Sequence, residues 1–172
     1  MKKTFIVLTT ILISILFTSC LTTNFIEKGT VNYSEDLDKS KVMDGILLVL
    51  MENNINVKNA NKDFGLIETE WIKTSDIADN VGMSILLGSL SSSMSFYEYY
   101  VKLNFRVTDN LYYVIPSKKE IEDGSSIFSS QKENFWPVRE DSEEAEIVKK
   151  ILADINNVLN IKGETVWDIK TE

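Results

Sequence analysis

The stretch SFYEYYVKLNFRVT limits the fold more than any other part of the chain. Tyr97, Tyr99, Val101, Leu103, Phe105 and Val107 alternate with Glu98, Lys102, Asn104 and Arg106. A period of two puts the two sets on opposite faces of an extended strand, whereas a helix would scatter them around its circumference. Asp109 and Asn110 follow as a tight turn, and LYYVIP returns as a second strand that Pro116 is expected to end or to place at a sheet edge. The hairpin therefore demands a cover for its apolar face.

Two helical patterns can supply that cover. In VMDGILLVLMENN, Val42, Ile46, Val49 and Leu50 share one face, Asp38 and Ser40 offer N-cap oxygens, and Asn53 and Asn54 suit a left-handed end. From Asp141 to Asn160, Ile147, Val148, Ile151, Leu152, Ile155, Val158 and Leu159 form one stripe, with Asp141 and Glu144 spaced as a capping box. Between the first helix and the long hairpin, Ile55 and Val57 alternate with Asn56 and Lys58, NANKDFG reads as a turn, and LIETEWIK returns as a strand. Its spacing puts Ile67, Thr69 and Trp71 on one face and Glu68 and Glu70 on the other. The expected fold is α+β: a two-layer sandwich over residues 37–172, an antiparallel sheet of about four strands flanked by an N-terminal and a C-terminal helix.

The amino terminus has a different character. Lys2 and Lys3 precede an uncharged apolar run from Phe5 to Phe17, the layout of a secretory signal and shorter than the roughly 18 residues a spanning helix needs. The run ends in Phe17, Thr18, Ser19 and Cys20, which resembles the lipobox of bacterial lipoproteins. Thr18, Ser19 and Cys20 follow that pattern, while Leu16 stands one place ahead of the usual leucine position. The resemblance implies that residues 1–19 are a signal peptide and that Cys20 becomes the first mature residue, carrying acyl chains that hold the protein on a membrane of the bacterial envelope. Leu21, where Asp would retain such a protein at the inner membrane, implies the outer membrane. Two or more acyl chains exceed the marginal hold of one. Residues 20–36 are then the lipidated cysteine and a tether that reaches roughly 55 Å when extended, with a short strand as an option near Thr30 to Tyr33.

The order of elements from Lys39 to Leu159, and locally VKNANKDFGLIETEW, is similar to the BamC-type outer-membrane lipoproteins. That resemblance implies a helix-grip-like sheet and a role in binding partner proteins, with no catalytic residues to carry over.

Composition narrows the chemistry. The chain has no His and one Cys, which removes imidazole general bases, His-dependent nucleophile sites and His-ligated metals; no cofactor or metal is expected. Loss of residues 1–19 removes two lysines and no acid, leaving 16 basic against 26 acidic residues, a charge of −10 that disfavours nucleic acid. Residues 81–96, VGMSILLGSLSSSMSF, carry no charge. Ile85, Leu86 and Leu87 there either tuck into the core or contact a bilayer or partner. Tyr100 and Tyr112 are the other candidate binding residues, expected on an exposed sheet face. Glu68, Glu70 and Glu98 could form an acid pair of the kind glycoside hydrolysis uses, although carboxylates also line any wet sheet face. The first functional reading is a non-enzymatic, lipid-anchored envelope protein that binds a partner protein. The second is a periplasmic carrier of a small apolar or lipidic ligand in a cavity between sheet and helix, and the third a glycan hydrolase.

Overall fold

A computed structural model describes residues 22–75, 97–122 and 132–171. The long hairpin forms as its alternation demands. Strand β5 (Tyr97–Val107) pairs along its whole length with β6 (Leu111–Glu122), and the Asp109–Asn110 turn sets the register Val107↔Tyr112 and Leu103↔Pro116. Pro116 neither ends β6 nor confines it to an edge. The Leu103 N–H donates to Thr69 Oγ1, away from β6, so Pro116 directs its nitrogen to the opposite side. There strand β1 (Asn24–Asn32) has ended its pairing at Val114 and strand β7 (Lys132–Trp136) has not begun until Lys118. The missing N–H falls where no strand faces it.

Strand β1 (Asn24–Asn32) is paired on both edges. On one edge, Gly29–Asn32 face β6 and Phe25–Ile26 face β8 (Val138–Arg139). On the other lies β9 (Val166–Thr171), with Asn24↔Thr171 and Thr30↔Val166. This corrects the tether expected up to residue 36: its middle is the spine of one side of the sheet. The remaining strands are β2 (Val57–Asn61), β3 (Leu66–Thr69), β4 (Ile72–Lys73) and β7 (Lys132–Trp136). Among the described residues nine strands form one sheet, in the order β2-β3-β5-β6-β1-β8, with β4 beside β5, β7 beside β6 and β9 beside β1.

Both helices cover one face of this sheet. Helix α1 (Lys39–Glu52) starts where Asp38 Oδ1 accepts from the Lys41 N–H at 2.8 Å and ends with Asn54 left-handed, φ 56°. Helix α2 (Glu143–Val158) is capped by Ser142, not Asp141, through the Ala145 N–H. Met43, Ile46 and Leu50 of α1 and Ile147, Ile151 and Leu152 of α2 are buried with Leu103, Phe105, Val114, Val31 and Ile67 of the sheet. A smaller cluster, Ile26, Val138 and Ala145, lies under Trp167. Gly29 makes room for that indole: a Cβ there would sit 2.5 Å from the ring.

The class is α+β, but the four-stranded sheet flanked by two helices is overturned. Apart from β1, the additional strands are short or lie at the border of the sheet, so burial imposes little alternation on them. β9, for instance, has only Trp167 partly covered. Beyond Pro116, where the strand was expected to end, lie six more residues of β6 and all of β7.

The β2–β3 turn closes on Gly65, φ 65°, whose carbonyl accepts from the Val107 N–H at 2.7 Å. A Cβ at this position would meet the Val107 carbonyl oxygen at 2.0 Å. Gly65→Ala therefore adds a backbone collision to the left-handed penalty and is expected to cost at least about 1–2 kcal/mol, read as a lower denaturation midpoint. Unchanged stability would contradict this turn.

Candidate functional site: a groove on the helix-free face

The face of the sheet opposite the helices is not uniformly polar, because the pairing beside β5 slips. β3 pairs Glu68↔Asn104, but β4 pairs Ile72↔Val101, one residue out of step. The slip turns Trp71 over. Spacing alone placed it with Ile67 and Thr69, which are buried on the helix side. Instead, its ring lies 5.8 Å from that of Phe135, near Lys102 and Lys119 on the open face.

A groove of about 590 Å³ runs along this face. It opens where β1 diverges from β6 and β7–β8 enters between them. Phe25, Trp71, Ile115 and Phe135 supply its apolar surface, Lys102, Asn104 and Ser117 its polar one, and Trp136 and Pro137 stand at the β7–β8 junction. Phe135 is 62% exposed and Trp136 54%.

The lysines are held by both carboxylates and rings. Lys102 pairs with Glu68 and lies 5.9 Å from the Trp71 ring. Lys119 sits 5.3 Å from Trp71 and 5.0 Å from Tyr100, and 3.4 Å from Glu133. At such distances ring faces attract an ammonium group. Lys73 and the Tyr100 hydroxyl both hold Glu98, at 2.5 and 2.7 Å. The result is an aromatic surface with fixed, largely compensated charges.

The sequence candidates separate here. Tyr100 belongs to the face. Tyr112 does not: the hairpin register places it beside Val107 on the helix side, fully buried, and its hydroxyl donates to Asn156 Oδ1 at 2.6 Å. Burial pushes its ionisation far up. The expectation that it is an exposed binding residue is corrected. That pairing was readable from the two-residue turn, whereas the slip that exposes Trp71 was not. Tyr99, expected in the core row, is partly exposed, with Lys118 4.2 Å above its ring. Ile85, Leu86, Leu87 and Cys20 lie outside the described residues.

Glu68 and Glu98 do not behave as a catalytic pair. The Lys102 ammonium holds the Glu68 carboxyl below its ordinary range, and Lys73, then Tyr100, does the same for Glu98. A general acid requires the opposite shift. Glu70 is exposed. Among the described residues no group of three or more Cys, Asp or Glu side chains is placed to hold a metal ion. Aromatic walls with compensated lysines suit holding a ligand rather than moving a proton. A scan against protein-family models finds no match, and a search of curated proteins returns no similar sequence.

Because the folded pKa values of Glu68 and Glu98 are depressed, their pairs stabilise the fold above the ordinary glutamate value of 4.5. That contribution disappears as pH falls through the lower folded values. Lys102→Met should move the NMR titration midpoint of the Glu68 carboxyl upward toward 4.5 and leave Glu98 in place. An unmoved Glu68 midpoint would refute the pairing.

Proposed function

We propose that this is a lipid-anchored protein of the bacterial cell envelope, attached through Cys20 at the outer membrane, and that its domain acts without catalysis by binding a partner protein on the helix-free face. The observation that carries the binding assignment is the groove between Trp71, Phe135 and Ile115. Exposed aromatic side chains beside buried lysine stems form the kind of surface in which a few anchors dominate a protein interface. The anchor rests on Lys2, Lys3, the apolar run and FTSC.

The carrier reading calls for an apolar cavity between sheet and helices. The groove lies on the other face, is open to solvent and is lined in part by Lys102 and Asn104, which favours a macromolecular partner. The hydrolase reading loses its support to the separate lysine partners of Glu68 and Glu98.

Two experiments test the proposal. Growth on a labelled fatty acid should mark the wild type and not Cys20→Ser; equal labelling would remove the anchor. A photo-crosslinking residue at Tyr100 should form a discrete protein adduct in native envelopes, while one at exposed Met51 on α1 should not. Trp71→Ala should weaken that association by roughly 2 kcal/mol, about thirtyfold. Adducts from Met51 alone, or indifference to Trp71→Ala, would assign binding elsewhere.

A further inference from the structure

β1 begins at Asn24, four residues beyond Cys20. Four residues span at most about 14 Å, a quarter of what the expected tether would allow. The acylated cysteine, on which this inference rests, therefore leaves the start of β1 at the bilayer surface.

Phe25, the second residue of that strand, is opposite Arg139 of β8. Two residues earlier the chain turns through Pro137 out of β7. Phe135, Trp136 and Pro137 are three consecutive exposed residues without charge. They thus stand next to the membrane end of β1. Phe64, also exposed, is at the other end: it adjoins Gly65, which bonds to Val107, itself one pair from Tyr112 and Val31. The nine residues of β1 separate the two ends by about 30 Å.

Aromatic rings with one polar edge favour the headgroup boundary. A mature charge of −10 gives no general attraction to anionic lipid, so contact must come from apolar insertion. We infer that Phe135, Trp136 and Pro137 form a knuckle that docks on the phospholipid surface beside the acyl anchor. It holds the groove in one orientation, with its mouth next to the bilayer.

The full-length lipidated protein in phosphatidylcholine vesicles with brominated acyl chains tests this through tryptophan fluorescence. Quenching should occur in the wild type, persist at high salt, weaken in Phe135→Ser and vanish in Trp136→Phe, which retains Trp71 and Trp167. Absent quenching, or equal quenching in Trp136→Phe, overturns the docking if Cys20 carries its fatty acid. Failure of Cys20 to acquire the label overturns the anchor reading and the docking together. A photo-crosslinker at Phe135 in native envelopes should yield phospholipid adducts; polypeptide adducts alone would give the knuckle to a protein and overturn the inference.

Discussion

The structure depends on β1 being hydrogen-bonded along both edges. It borders β6 and β8 on one side and β9 on the other. Without it, β9 has no partner strand, β8 is detached, and the cluster of Ile26, Val138 and Ala145 loses its central residue. Residues so paired along most of both edges have their backbone groups committed to the sheet and cannot also serve as a slack linker. The strand that completes the fold is therefore made of residues the sequence had suggested as a tether.

The divergence of β1 from β6 also creates the groove. Pairing of β1 with β6 stops at Gly29↔Val114, and the β7–β8 segment fills the gap on the far side of Pro116, while on its other edge β1 slips one residue against β9 between Ile26 and Lys28. A second slip, between β3 and β4, brings Trp71 to the same face. Irregular pairing thus gathers aromatic side chains where a regular sheet would present alternating polar ones. The lysines between them, Lys102 and Lys119, each have a carboxylate and a ring within reach.

The residues differ in how openly they declare these roles. The β5 alternation, the stripe of α2, the left-handed Asn54 and the turn at Asp109–Asn110 were legible because each follows from local periodicity or backbone preference. β1 was less so: NFIEKGTVN includes a bulge, which breaks the alternation that would have marked it as buried. β4 and β8 have two residues each and owe their conformation to their neighbours. Trp71 shows the same limit at the site, since its face depends on a slip produced by long-range pairing. Tyr112 was misplaced although its register was available from the turn.

Amide hydrogen exchange across Asn24–Asn32 tests the central claim most directly. A strand paired on both edges predicts that Gly29, Thr30 and Val31 exchange as slowly as Val101 to Phe105 in the middle of the sheet. Exchange at the rate of an unstructured peptide, while Val101 to Phe105 remain protected, would contradict it and restore a long tether between Cys20 and the domain.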